Sequence, residues 1–162
     1  MINILKNSLS KGIVTKEIEM LGSELKSEID KRLGRSFHIR EVDTGSCAGC
    51  ESEIIATTNP IYDIQRFGVD FVASPRHADA LLVTGSVSKN MLVALKKTYD
   101  AMPGPKFVIT LGDCALDCGI FKDSYYTAGP VKSILPVSLH IPGCPPAPED
   151  IIKSLLTFLK HI

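Results

Sequence analysis

Apolar residues recur at helical spacing near both ends of the chain. Over residues 15–33 they stand every three or four positions, at Ile18, Leu21, Leu25, Ile29 and Leu33. This spacing predicts an amphipathic helix, which Thr15 would cap and Gly34 would end. The same periodicity over residues 149–160 predicts a final amphipathic helix.

Between these two segments, short apolar runs alternate with helical patterns. The runs predict strands over residues 37–42, 69–73, 80–84 and 106–111, and one more between 133 and 141. The intervening patterns predict helices over residues 50–58, 62–67, and from Ser86 or Ser88 to about Tyr99. Strands that alternate with helices imply right-handed βαβ units, so the sequence predicts an α/β fold with a mostly parallel sheet.

Composition favours one domain that lacks a nucleic-acid partner. The chain has 162 residues, 44% of them hydrophobic, and it has no tryptophan. Its apolar residues are mainly aliphatic, which suits a buried parallel sheet. The formal net charge is zero, which gives no electrostatic basis for binding nucleic acid and favours a subunit of a larger assembly.

The chain shows no signal for crossing a membrane or for export. No run reaches about 18 apolar residues, and residues 1–9 lack a signal-peptide core. We therefore expect a cytoplasmic protein whose contact with a membrane comes through partners. In the cytoplasm, spaced cysteines more often indicate metal or redox chemistry than disulfides.

Four cysteines stand in three short motifs, each on a loop shaped by glycine or proline. Cys47 and Cys50 share the first motif, and Cys114 and Cys144 occupy the other two. Every motif follows a predicted strand, so the three loops are expected at the carboxyl edge of the sheet, where open α/β sheets bind ligands. Four thiolates are the ligand set of one [4Fe–4S] cluster.

Two other interpretations of the cysteines stay open at this point. A thioredoxin-type dithiol would explain Cys47 and Cys50 but neither Cys114 nor Cys144. Structural zinc usually takes paired CxxC motifs, whereas the last two cysteines are single. Cys118, the fifth cysteine, is interpreted as a small apolar residue in the wall of the site.

Together the motifs resemble a known family. The similar segments are residues 45–51, 66–69, 74–79, 82–85, 112–114 and 141–146. Over these residues the chain resembles the small subunit of energy-converting, membrane-bound (group 4) [NiFe] hydrogenases. That subunit is related to the 20-kDa-type [4Fe–4S] subunit of respiratory complex I.

The resemblance implies a flavodoxin-like domain over residues 37–162, with helices on both faces of the sheet and one [4Fe–4S] cluster. Residues 1–36 are predicted to form an N-terminal helical extension. The ligand positions of the family match Cys47, Cys50, Cys114 and Cys144. The implied partners are a large subunit that holds the Ni–Fe site, a ferredoxin-like [4Fe–4S] subunit and integral membrane subunits. The implied role is to relay electrons for H⁺/H₂ interconversion on the cytoplasmic side of the membrane.

Two alternatives to a hydrogenase remain. The spacing Cys47-Ala48-Gly49-Cys50 matches the pattern of the hydrogenase subunits. The related subunits of complex I carry two adjacent cysteines in this motif instead. A nickel-free relative, such as a sulfane-sulfur reductase or a ferredoxin- or quinone-linked dehydrogenase, would nevertheless share this subunit. A cluster-free thiol-redox module is the other alternative.

Further candidates surround the cysteines in sequence. Glu51 is a candidate proton-relay carboxylate, with a helix-terminus or interface charge as the alternative. Arg76 and His77 are candidates for contact with the cluster, with a salt bridge to Asp79 and a solvated histidine as the alternatives. Three glycines are expected where the backbone approaches the cluster closely: Gly85, Gly112 and Gly143.

Overall fold

Five parallel strands form the central sheet of this structure, a computed structural model that describes residues 15–162. The strands in chain order are β1 (Phe37–Asp43), β2 (Val69–Phe71), β3 (Ala80–Thr84), β4 (Val87–Ser88), β5 (Phe107–Leu111), β6 (Thr127–Gly129) and β7 (Leu139–Ile141). The sheet has the order β2-β1-β3-β5-β7, while β4 and β6 pair as a separate antiparallel ribbon. This order is that of flavodoxin-like folds, with the topological switch point between β1 and β3.

Helices cover both faces of the sheet. They are α1 (Thr15–Leu33), α2 (Gly49–Thr57), α3 (Leu92–Ala101), α4 (Asp113–Asp117) and α5 (Pro148–His161). Successive residues of β3 divide between two cores: Leu82 packs with residues of α1, α2 and α5, and Leu81 packs with residues of α3 and α4. Because both faces are buried, the central strands β3 and β5 are apolar at every position except one threonine each. The predicted α/β fold is confirmed.

Helix α1 has the bounds that the apolar spacing predicted. Leu25 and Ile29 are fully buried in the same core as Phe37, and the N–H of Gly34 closes the helix on the carbonyl of Asp30 at 3.1 Å. The apolar stripe of α1 therefore packs against the domain, chiefly against α5. The first 14 residues lie outside the described part, and the domain boundary at residue 36 stays a prediction. Among the helices of residues 15–162, none has the length and apolarity that a membrane span requires.

Several element bounds differ from the predicted ones. The strand predicted over residues 69–73 ends at Phe71, and only the end of segment 62–67 is helical, as a 3₁₀ turn over Ile64–Phe67. The helix expected from Ser86 or Ser88 begins at Leu92. Residues Val87 and Ser88 pair instead with β6, and the Ser88 hydroxyl accepts a hydrogen bond in the turn before α3. Helix α4 was not predicted, because five residues are too short for a periodic pattern.

Candidate metal centre

Three loops at the carboxyl edge of the sheet carry the four cysteines. Cys47 and Cys50 follow β1, Cys114 follows β5, and Cys144 follows β7. The end of β3, which lies between β1 and β5, contributes Gly85 to the same cleft. All four cysteines line this cleft, so the predicted convergence of the three motifs is confirmed.

Side-chain hydrogen bonds shape the first cysteine loop. Oδ1 of Asp43 accepts hydrogen bonds from the N–H groups of Gly45 and Ser46, both at 2.8 Å. The Ser46 hydroxyl then accepts the N–H of Ala48 at 3.0 Å, and Ala48 adopts a left-handed conformation with φ of 66°. This turn begins α2, so Cys47 lies in the loop and Cys50 in the first turn of the helix.

Asp113 joins the two remaining cysteine loops. Its backbone N–H donates to the carbonyl of Gly143 at 2.9 Å, and its Oδ1 accepts the N–H of Gly143 at 3.0 Å. These two bonds fix the distance between the loops of Cys114 and Cys144. Sequence reasoning missed both Asp113 and Asp43. The sequence did carry a signal for Asp43, because an aspartate two residues before a glycine is typical of a turn that the aspartate side chain caps.

The three glycines occupy positions where a side chain does not fit. A Cβ on Gly112, whose φ is +83°, would lie 2.6 Å from Sγ of Cys50. A Cβ on Gly143, with φ of +137°, would lie 2.7 Å from the backbone of Pro146, and one on Gly85 would lie 2.5 Å from the nitrogen of Ser46. Contacts this short do not occur, so glycine is required for the loops to approach one another.

The thiols lie close enough to affect one another electrostatically. Burial raises the pKa of Cys50 to about 12, and the charges of Glu51, Cys47, Cys114 and Cys144 act in the same direction. Burial and the charge of Cys144 likewise raise the pKa of Cys114. Four thiolates at this place are therefore unfavourable without cations, and bound iron would supply the compensating charge.

These residues fit an iron–sulfur cluster in donor type and number. The cleft is lined by four thiols together with Gly85, Gly112 and Gly143, and two of the thiols are exposed while the other two are half-buried. Within residues 15–162, no three His, Cys, Asp or Glu side chains are grouped around a point that could hold one metal ion. A cubane binds each thiolate through a different iron, so four cysteines match its four ligand positions.

Cys118 lies apart from the four candidate ligands. It is buried and lines a neighbouring cavity with Asp117 and Lys132, whereas it does not line the cleft of the four cysteines. Its φ of 73° places it in the left-handed region at the end of α4. Cys118 is thus a small buried residue that stands apart from the candidate ligands, but it borders the neighbouring cavity, which corrects the expectation that it lies in the wall of the site.

Glu51 lies in the first turn of α2, next to Cys50. Both of its carboxylate oxygens are buried and have no hydrogen-bond partner among the described residues. A buried carboxylate without a partner is unusual in folded proteins, since desolvation is costly. A partner surface or water would supply the missing bonds. Its assignment as a proton relay stays a prediction.

Arg76 and His77 lie at the opposite edge of the sheet. They occupy a short 3₁₀ turn between β2 and β3 and border a cleft with Arg35 and Asp79, and the carbonyl of His77 contacts the ring of His38 at 3.0 Å. The chain leaves β2 at the carboxyl edge and must return to the amino edge to begin the parallel strand β3. This placement corrects the expectation that Arg76 and His77 contact the cluster. The Asp79 carboxylate is paired with Arg35 at 2.6 Å instead of with Arg76.

Known relatives share most of this chain. It is 44% identical over 136 residues to the probable membrane-bound hydrogenase subunit mbhJ of Pyrococcus furiosus, covering 84% of this chain and 81% of the relative. It is 46% identical over 120 residues to a subunit of the NADH-quinone oxidoreductase of Clostridium beijerinckii, covering 74% and 71%. These identities are nearly equal, so they do not separate the hydrogenase branch from the complex I branch.

Solved structures and a family model agree with these relatives. A chain of the membrane-bound sulfane sulfur reductase, an archaeal respiratory membrane complex, superposes with a TM-score of 0.70 at 28% identity, covering 86% of this chain and 75% of that chain. The model of the family described as NADH ubiquinone oxidoreductase, 20 Kd subunit, matches residues 47–158, from the first cysteine into α5. The relatives named above are subunits of oxidoreductase complexes. The chain belongs to the family of the NADH ubiquinone oxidoreductase 20 Kd subunit.

Proposed function

We propose that this chain is an electron-transfer subunit that holds one [4Fe–4S] cluster through Cys47, Cys50, Cys114 and Cys144. The observation that carries the proposal is the meeting of four thiols from three loops in one cleft. The complex we propose is a membrane-associated [NiFe] hydrogenase, in which the chain relays electrons between a ferredoxin-like subunit and the Ni–Fe site of a large subunit. The overall reaction would interconvert H⁺ and H₂.

The residues of this chain would bind the cluster and fix its surroundings. The four thiols would lose their protons and hold iron as thiolates, and Gly85, Gly112 and Gly143 would let the ligand loops approach one another. A [4Fe–4S] cluster supplies reversible one-electron transfer when bound. The hydrogen bonds between Asp113 and Gly143 would keep two ligand loops at a constant separation in both redox states. A rigid site limits the reorganisation that accompanies each electron transfer.

The surface around the cysteines suits contact with other subunits. Cys47 and Cys144 are exposed in the isolated chain. Large apolar side chains are exposed on neighbouring elements: Ile55, on the helix that begins at the first cysteine motif, is 70% exposed, and Tyr125, just before β6, is 90% exposed. Exposed large apolar groups favour burial against a partner. We propose that the large subunit covers this edge, and that integral membrane subunits hold the complex at the cytoplasmic side of the membrane.

A nickel-free complex is the second candidate function. The superposition on a chain of the sulfane sulfur reductase complex favours it. Nickel ligands would lie on the large subunit, and this chain would serve either complex with the same four cysteines. The two candidates therefore differ in the partner and not in the site described above.

Metal content of the native complex tests the proposal. The assembly would be purified without oxygen through a tag on this chain, and nickel and iron would be quantified per copy. About one nickel with more than four irons supports the hydrogenase. Iron without nickel supports the nickel-free complex. Intact protein without iron overturns both.

A further inference from the structure

A cleft with several basic side chains lies at the amino edge of the sheet, opposite the cysteines. It has a volume of about 350 Å³, which is within the range of small-molecule sites. The start of β1, the 3₁₀ turn before β3 and the segment after α3 form its walls. The side chains that line it are two arginines, two histidines, one aspartate and one proline: Arg35, His38, Arg76, His77, Asp79 and Pro103.

The one carboxylate that residues 15–162 contribute to this cleft is already used by the fold. The two oxygens of Asp79 accept hydrogen bonds from the Arg35 guanidinium at 2.6 and 2.9 Å, and Oδ2 also accepts the backbone N–H of His38 at 2.9 Å. Asp70 lies opposite His38 in the β1–β2 register, but it does not border the cleft. Asp79 therefore neutralises Arg35 and does not neutralise the second arginine.

Arg76 is that second arginine, and its side chain is exposed. Within the described part of the chain, no carboxylate forms an ion pair with it. Its backbone is nevertheless fixed, because the Ser74 hydroxyl accepts the Arg76 N–H at 3.3 Å. The His38 ring donates to the carbonyl of His77 at 3.0 Å, which ties the same turn to β1. The fold thus holds an uncompensated guanidinium at the cleft.

The donors at this cleft suit a phosphate group. A guanidinium binds phosphate through paired N–H bonds, and the exposed ring of His77 can supply a further hydrogen bond. Arg35 also has N–H groups that its bonds to Asp79 do not use. A phosphate offers three or four oxygens to these donors, whereas a carboxylate offers two.

We propose that this cleft binds a phosphate group, as the free ion or as part of a phosphorylated small molecule. Arg76 is its principal ligand and His77 is a second donor. This site goes beyond the electron-transfer role, because it lies at the other edge of the sheet and does not require the cluster. It gives a function to Arg76 and His77, which the cysteine cleft does not use.

Thermal unfolding of the full chain in the presence of phosphate tests the proposal. The midpoint temperature would be measured against phosphate concentration at constant pH, with chloride holding the ionic strength constant. A ligand that binds the folded chain raises this midpoint. The half-saturating concentration is expected to be about tenfold higher in Arg76→Gln than in the wild type, with a smaller increase in His77→Ala. Lys26→Gln removes an exposed positive charge from α1 and should respond as the wild type does.

Two further probes identify the ligand. A lower half-saturating concentration for glycerol 3-phosphate than for inorganic phosphate supports a phosphorylated small molecule, and the reverse supports the free ion. An equal response to phosphate in the wild type and Arg76→Gln overturns the inference, as does a response to succinate that equals the response to phosphate. Each of these results leaves the proposed function standing, because the iron content tests that function separately.

Discussion

A Cβ atom added to Gly112 would lie 2.6 Å from Sγ of Cys50. Gly112 and Cys50 belong to different loops of the site. Gly112→Ala is therefore expected to displace this ligand and to lower the iron content per chain at least twofold. The backbone at Gly112, with φ of 83° and ψ of 154°, is also strained for alanine, which costs roughly 1–3 kcal/mol. Iron analysis and circular dichroism would show a folded chain with depleted iron.

Gly34→Ala is the matched control for that variant. Gly34 has a φ of +63°, and an added Cβ there meets no atom within 4 Å. The control thus introduces backbone strain without displacing a thiol. Wild-type iron content in Gly112→Ala, or equal iron loss in both variants, would contradict the assigned role of Gly112.

Cys118 provides a test of which cysteines are ligands. Cys118→Ala is expected to retain the wild-type iron content, because Cys118 lines a separate cavity. Loss of its buried sulfur should reduce stability by about 1 kcal/mol. Cys114→Ala, four residues earlier in the chain, is expected to lose the cluster. Iron loss in Cys118→Ala comparable to that in Cys114→Ala would show that the ligand assignment is wrong.

The metal-free chain should lose stability in alkaline solution. Burial, followed by the charges of Glu51 and the other site cysteines, raises the pKa of Cys50 to about 12, whereas a cysteine in an unfolded chain has a pKa of about 8.5. Between these values the unfolded state has released a proton that the folded state still holds. The contribution of Cys50 to the free energy of unfolding is therefore fully present below about pH 8.5, and it is lost as the pH rises towards 12.

Denaturant unfolding of the reduced, metal-free chain across this range measures the effect. Cys50→Ser should lose less stability per pH unit than the wild type, because the shifted thiol is absent. Cys47→Ser, at an exposed position of the same motif, should keep a slope close to that of the wild type. If Cys50→Ser and the wild type lose stability in parallel, Cys50 is not the group responsible.

Gly22 permits α1 to approach the 3₁₀ turn at Phe67. A Cβ on Gly22 would overlap the Phe67 ring, and Phe67 is buried. Alanine favours a helix over glycine by about 1 kcal/mol, but overpacking costs about 1–3 kcal/mol. We therefore expect Gly22→Ala to lower the free energy of unfolding, by about 1 kcal/mol.

Two comparisons isolate that contact. Ser23→Ala on the exposed side of α1 should be neutral or slightly stabilising, since it changes helix propensity alone. Gly22→Ala should lower the free energy of unfolding less in a Phe67→Leu variant than in the wild type. A stabilised Gly22→Ala single variant would mean that the ring moves away freely.

The predictable features of this chain were those encoded in local patterns. The spacing of apolar residues predicted α1 to its final residue, and the apolar runs predicted the strands that precede all three cysteine motifs. Because parallel strands share an edge, the convergence of the cysteines followed from strand order alone. The glycines near them were predicted for the same reason, since loops cannot meet closely with side chains between them.

The unpredicted features depend on contacts between distant residues or on very short elements. The Asp113–Gly143 pair joins residues that are 30 positions apart, a relation with no local signature. Arg76 and His77 were misplaced because the short crossing from β2 to β3 carries them to the amino edge. The β4–β6 ribbon has strands of two and three residues, which are too short to show a period of two.

The most direct test of the central claim is the iron and acid-labile sulfide content of this chain after anaerobic reconstitution. Cys47, Cys50, Cys114 and Cys144 are predicted to bind about four irons and four sulfides per chain, with the EPR signal of a reduced [4Fe–4S] cluster. Replacing any one of the four by alanine should reduce both contents together. A chain that instead takes up one zinc ion, or that stays folded without binding iron, would contradict the account.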